Sequence, residues 1–324
     1  MQTTNTQTTA AGAQAATGRY VNIAAYKFIS FDDTEAMRPQ FQALCQQLNL
    51  KGTILLTPEG INMFLSGLPA DIEAYLAWLR KDPRFADIEV KFSYSDEQSH
   101  KRMLVKIKQE IITMRMPLIK PELGRAPAVD AATLKRWLDQ GHDDNGKPVV
   151  MVDTRNDFEV DVGTFDNTVD YRIAKFTEFP EVIAAHKDDF AGKTVVTFCT
   201  GGIRCEILSA LMKNRGFEEV YQIDGGIVRY GEKFGNKGLW EGSLYVFDKR
   251  MHMEFGDGVE DEDYVQLGHC VHCGKPTNTF QNCINEDTCR RQVLICDDCW
   301  EHTETQHCGR EDCKEVAEGL AAAN

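Results

Sequence analysis

The residues best suited to chemistry fall in two places. The first is Cys199-Thr200-Gly201-Gly202-Ile203-Arg204-Cys205. A short apolar run ends at Phe198, and Ile203 opens a stretch with helical spacing. Gly201 and Gly202 let the backbone curl without Cβ clashes. A curled loop entering a helix turns several N–H groups inward, at the positive end of the helix dipole. Such a cradle stabilises an anion on Cys199, lowers its thiol pKa and makes the sulfur a nucleophile. Thr200 to Ile203 form its wall. Arg204 adds a fixed positive charge, either at the rim or as a brace. Cys205 lies on the first helical turn, as a resolving thiol or as a buried neighbour.

The second place is the carboxyl-terminal stretch, where eight of the eleven cysteines lie between residues 270 and 313. Cys270-x2-Cys273 and Cys296-x2-Cys299 are separated by 22 residues. Each pair puts two thiolates on one tight turn, a zinc-ribbon-like pattern. Zinc is the expected occupant. Cys283, Cys289, Cys308 and Cys313 are enough for a second site, with His269, His272, His302 and His307 as alternative ligands. The competing reading is reduced thiols, or disulfides formed on oxidation.

These residues need elements to position them. The chain has 324 residues, 42% hydrophobic and 27% charged, a globular balance that suggests two or three domains. Residues 1–18 read as a disordered tail. Residues 19–112 read as strand, helix, strand, strand, helix, strand, with Met37, Phe41, Leu44, Cys45 and Leu48 on one helix face and Ile72, Tyr75, Leu76 and Leu79 on another. Asp32 or Asp33 is the expected cap of the first helix, and Cys45 a core residue. That order is the split pattern of a ferredoxin-like sandwich. Residues 113–127, rich in proline and basic side chains, read as a linker. Residues 128–240 hold continuous apolar strands separated by helices, which implies a parallel sheet covered on both faces. Cys199 then sits where reacting groups sit in such sheets, past the carboxyl end of a strand. Residues 241–324 form a small, acidic, Cys-rich region. The whole is a multidomain chain of α/β and α+β type.

Net charge is −14, and residues 251–324 account for most of it, with 5 Lys or Arg against 16 Asp or Glu. A strongly acidic whole argues against a general nucleic-acid glove, because phosphate binding draws on Lys and Arg. Between Lys101 and Arg125 the balance reverses. Lys101, Arg102, Lys106, Lys108 and Arg115 are the candidate RNA contacts, against a competing reading as a solvated strand face. No apolar run approaches the ~20 residues that span a bilayer, so no membrane partner is expected. The amino terminus lacks a basic patch followed by an apolar stretch, and a cytoplasmic setting is expected. The cysteines are then ligands or catalysts rather than disulfides.

The loop CTGGIRC resembles the active-site loop of rhodanese domains, whose cysteine carries a persulfide. Asp153-Thr154-Arg155-Asn156-Asp157-Phe158-Glu159 with Gly163 resembles that family's first signature. Asp224-Gly225-Gly226-Ile227 with Tyr230 resembles its closing one. Thr164 stands where the family usually has histidine. Asp153 and Arg155 are supporting residues on this likeness. The likeness extends further, through YKF, GTILLTPEGIN, CTGGIRCE and the Cys-rich tail. After residue 18 the chain closely resembles the bacterial tRNA uridine(34) hydroxylases. That resemblance implies oxygen-dependent formation of 5-hydroxyuridine at the wobble position, with Cys199 as the essential cysteine. It implies the tRNA anticodon loop as partner and molecular oxygen as co-substrate. No organic cofactor motif is evident, and the oligomeric state stays open. The residues alone point to sulfur transfer from a thiosulfate-type donor. A non-catalytic adaptor is a third reading, against which the intact loop argues. Anticodon bases can stack on aromatics; Tyr26, Phe28, Phe64 and Tyr230 are candidates, with the core as their alternative place.

Overall fold

A computed structural model describes residues 19–323; the tail expected over 1–18 lies outside them. The described residues divide into two compact units, with the boundary after residue 111.

The first unit runs β1 (Tyr20–Phe28), α1 (Thr34–Gln47), β2 (Lys51–Thr57), β3 (Gly60–Gly67), α2 (Pro69–Leu79), β4 (Val90–Ser95) and β5 (Met103–Ile107). The sheet order is β4-β1-β3-β2-β5. β1 is antiparallel to β3 and β4, β2 is antiparallel to β3, and β5 adds a parallel edge beside β2. The first four strands are the ferredoxin-like arrangement; the fifth is an addition. Side chains alternate along each strand. Val21, Ile23, Ala25, Ile54, Leu56, Ile61, Met63 and Leu65 therefore meet the helices, where Met37, Phe41, Cys45, Ile72, Tyr75 and Leu79 complete the core. Tyr26, Phe28 and Phe64 alternate to the other face and are half-buried. Burial pushes the Cys45 thiol up to about 12, as suits a core residue. Asp33 does occupy the cap position of α1, but its side chain makes no capping bond. It bonds Arg84 at 2.7 Å, and this ion pair wins over the cap. Gly52 has φ +143°, and a Cβ there would lie 1.9 Å from the Phe64 carbonyl oxygen, so the strand needs glycine.

The second unit runs β6 (Ala128–Val129), α3 (Ala131–Gln140), β7 (Val149–Asp153), α4 (Asp157–Val160), β8 (Gly163–Phe165), α5 (Phe179–Ala185), β9 (Thr194–Phe198), α6 (Ile203–Asn214), β10 (Glu219–Ile223) and α7 (Gly226–Phe234). β6-β10-β9-β7 form one parallel sheet, as the apolar runs predict. Every residue of β9 is buried, so the strand that delivers Cys199 is a central, rigid one. The segment expected to be a linker is partly anchored. Ala126 N–H donates to Ser209 Oγ at 3.1 Å, and Arg125 pairs with Glu206 at 2.7 Å.

The chain continues through β11 (Trp240–Gly242), β12 (Leu244–Tyr245), β13 (His252–Met253), β14 (Phe280–Asn282), β15 (Gln292–Leu294), α8 (Asp297–Trp300) and α9 (Glu311–Ala323). β11 pairs back onto β8. Phe280 and Leu294 of the β14–β15 hairpin bury against Val162, Tyr245 and Phe158. The Cys-rich region thus packs as part of the second unit, beside α4.

Candidate functional site

The loop from β9 to α6 forms a cradle. Gly202, the residue before α6, has φ +98° and donates its N–H to Cys199 Sγ at 3.1 Å. The carbonyl oxygens of Cys199 and Thr200 turn the other way and accept from Ile227 and Val228 at 3.0 and 3.1 Å. Those two N–H groups belong to the first turn of α7, so that helix holds the loop by its carbonyls. Contact is close: a Cβ on Gly226, itself at φ +70°, would lie 2.6 Å from Cys199 O and 2.8 Å from Gly202 N. No larger residue fits without moving the loop.

The sulfur is fully buried, at 0% exposure. Burial alone would raise its pKa, since it penalises the charged form. The Cys205 thiol, the Arg204 charge and the Arg204 and Cys205 backbone N–H groups outweigh that, and the Cys199 thiol is held well below its ordinary value. Cys205 moves the opposite way. Burial and the neighbouring Cys199 thiolate push it well above its ordinary value. Thr154 Oγ1 lies 3.7 Å from Cys205 Sγ and donates to the Phe198 carbonyl at 2.9 Å.

Arg204 is the brace, not the rim. Its guanidinium meets Glu159 through two bonds of 2.6 and 2.7 Å, with both side chains buried. Burial raises the Glu159 carboxyl, but Arg204 reverses this and holds it below its ordinary value. Glu159 also accepts from Asn156 N–H at 3.1 Å and from Thr200 Oγ1 at 3.5 Å, tying α4 to the loop. Asp153 and Arg155 stand one layer deeper. Arg155 is fully buried, pairs with Asp153 at 2.6 Å and donates to the Gly163 carbonyl at 2.7 Å. They fix the strand end rather than touch Cys199. Glu159 lies inside the quoted signature, and the sequence alone assigns it no role. A buried arginine in the loop demands a buried acid, and that demand is the signal that could have found it.

The other candidates separate. Lys101, Arg102, Lys106 and Lys108 are exposed on or beside the edge strand β5. Arg115 is exposed too, at φ +61°, but belongs to the other compact unit. Tyr230 is fully buried in the core of the second unit, against Phe165. The surface hollow lined by Lys135, Arg136 and Lys233 and that lined by Lys187 and Phe190 do not include the loop.

Two metal-ligand sets form in the Cys-rich region. The Sγ atoms of Cys270, Cys273, Cys296 and Cys299 all lie within 4.8 Å of one another, and so do those of Cys283, Cys289, Cys308 and Cys313. Neither set includes a histidine. In the first, turns closed by Gly274 N–H to Cys270 O and Trp300 N–H to Cys296 O, both 2.9 Å, present the knuckle thiols. Among the described residues, no helix is long and apolar enough to cross a membrane.

Residues 20–111 match the UPF0176 acylphosphatase like domain, 130–233 the rhodanese-like domain and 241–314 the rhodanase C-terminal family. The chain is 50% identical over 300 residues to the tRNA uridine(34) hydroxylase of Corynebacterium aurimucosum, covering 92% of this chain and 97% of that one. It is 60% identical over 271 residues to the enzyme of that name from Ralstonia nicotianae, covering 78% and 96%. It is 60% identical over 230 residues to that of Cupriavidus taiwanensis, covering 71% and 81%.

Proposed function

The chain belongs to the tRNA uridine(34) hydroxylase family, and from that premise we propose that it hydroxylates the wobble uridine of tRNA to 5-hydroxyuridine, with Cys199 as the nucleophile. One observation carries the assignment: half-identity to a relative of this name along 97% of that relative's length. The rhodanese-type loop supplies the chemistry. Sulfur transfer to a small acceptor would use the same loop, but it leaves the acylphosphatase-like unit and its basic edge strand without a task.

The Cys199 thiolate adds to C6 of the uracil. The C5–C6 double bond opens and its electron pair moves onto C5 and the O4 enolate. C5 then bonds to one atom of molecular oxygen, and the product is protonated to a hydroperoxide. A thiol reductant, the class named here as co-substrate, supplies two electrons. One thiol takes the distal oxygen as a sulfenic acid, leaving a C5 hydroxyl. A second thiol converts the sulfenic acid to a disulfide and water. Loss of the C5 proton and departure of Cys199 from C6 restore the double bond. The sum is uridine, oxygen and two thiols giving 5-hydroxyuridine, water and one disulfide. Lys101, Arg102, Lys106, Lys108 and Arg115 are the proposed phosphate contacts, and Tyr26, Phe28 and Phe64 the proposed stacking surfaces for splayed anticodon bases. A zinc ion on the Cys270 set completes this reading as a structural group.

Nucleoside mass spectrometry of tRNA from cells lacking the protein tests the assignment. Loss of 5-hydroxyuridine derivatives, with thiolated nucleosides unchanged, is expected. The reverse pattern would install sulfur transfer instead. Restored hydroxylation by a Cys199→Ser chain would remove the nucleophile from the mechanism.

A further inference from the structure

The second cysteine set, sufficient in number for a site, lacks the paired spacing of a zinc knuckle. Its spacings are five residues between Cys283 and Cys289 and four between Cys308 and Cys313, neither of them a knuckle. The fold nevertheless gathers the four sulfurs within 4.8 Å. Cys289 and Cys308 Sγ are 3.5 Å apart, far beyond a disulfide's ~2.05 Å. Around one zinc ion with Zn–S bonds of about 2.3 Å, neighbouring sulfurs of a tetrahedron stand about 3.8 Å apart. The observed spacing is that of four thiolates sharing a single ion. A multi-iron cluster, which places several metal atoms between its thiolates, needs more room.

A second observation points the same way. Asn285 is buried, and its Nδ2 donates to Cys313 Sγ at 3.6 Å. An amide donor aimed at sulfur inside the fold is what a metal-bound thiolate asks of its surroundings. Thr288 Oγ1 donates to Asn285 Oδ1 at 3.0 Å and fixes the amide's orientation.

We propose that Cys283, Cys289, Cys308 and Cys313 bind a second metal ion, zinc by ligand type, so that the region holds two separate tetrathiolate ions. Each thiol gives up its proton on binding, and no electron moves. The second ion braces the active-site clamp. Cys283 N–H donates to the Arg291 carbonyl at 2.8 Å, and the Arg291 side chain pairs with Asp157, the first residue of α4. α4 carries Glu159, and Glu159 holds Arg204.

The test is metal content, which needs no tRNA and so stands apart from the hydroxylase assignment. The full chain, purified in reductant without chelator, is analysed by elemental mass spectrometry and by titration with an organomercurial. Two zinc ions per chain are expected, with eight thiols consumed in two four-thiol steps. Cys289→Ser and Cys299→Ser should each lower the content by one ion. Cobalt loaded into either variant should still show tetrathiolate absorption bands. One ion or none in the unaltered chain overturns the proposal, as does an unchanged content in Cys289→Ser. If that variant fails to fold, the titration of the unaltered chain decides, and a single four-thiol step refutes the second site. Hydrogen exchange across Asp157–Val160 should quicken more in Cys289→Ser than in Cys299→Ser. Equal rates refute the brace.

Discussion

Cys199 gains its reactivity from two neighbours, Arg204 and Cys205, and loses some of it to burial. The balance has a pH consequence. Its folded pKa lies below that of a free thiol, so the thiolate persists as pH falls below the usual thiol range. The stabilisation that thiolate lends the fold is present above the unfolded pKa, about 8.5, and is lost as pH falls through the lower folded value. The difference in thiolate ultraviolet absorbance between the wild-type chain and Cys199→Ser should therefore survive well below that pH. A difference that vanishes near the free-thiol value would contradict it. Glu159 makes a second prediction. Glu159→Gln leaves the Arg204 guanidinium buried and uncompensated, which costs on the order of 3–5 kcal/mol. Chemical denaturation should show that loss. At Gly226 the constraint is steric. Gly226→Ala must displace the Cys199 carbonyl or the Gly202 amide, so hydroxylation should fall at least tenfold while overall secondary structure, followed by circular dichroism, persists.

At the scale of elements, β5 is the testable one. Its exposed cations stand on an edge strand of a unit whose remaining strands fill the ferredoxin-like pattern. Replacing Lys106 and Lys108 by Glu should weaken tRNA binding and flatten its salt dependence, by roughly 0.7–0.9 in log–log slope per lost phosphate contact. Filter binding across a salt series reads both quantities, and an unchanged slope would show that the strand face is merely solvated. The elements themselves were largely legible. α2 was readable because Ile72, Tyr75, Leu76 and Leu79 repeat at helical spacing, and β9 because a continuous apolar run has few other uses. What local pattern cannot encode is partnership. Nothing near Met103 states that β5 will lie parallel to β2, and nothing near Trp240 states that β11 will return to β8. The same limit explains the site. The glycine pair announced the cradle from its own residues. Whether Arg204 stood at the rim or inside depended on Glu159, 45 positions away. Asp33 lost its cap for the like reason, a distant arginine.

At the scale of the molecule, two compact units carry separate cores, one built on the five-stranded sheet and one on the parallel sheet with its Cys-rich extension. Unfolding should therefore not be a single two-state event. Calorimetry of the full chain should resolve two transitions, and a chelator that strips the proposed zinc should lower only the one belonging to the second unit. The charge distribution is equally uneven. The acidic carboxyl-terminal region packs Phe280 and Leu294 beside α4.

The complete enclosure of the Cys199 sulfur carries one more consequence. Low-pKa thiolates at a surface are the ones that peroxides convert stepwise to sulfinic and sulfonic acids. On the proposed oxygen-dependent reaction, such oxidants arise as by-products of turnover. With its sulfur at 0% exposure, the idle chain shelters its reactive atom; the proposed mechanism must uncover that sulfur to reach a nucleobase, so damage should accumulate during turnover rather than in storage.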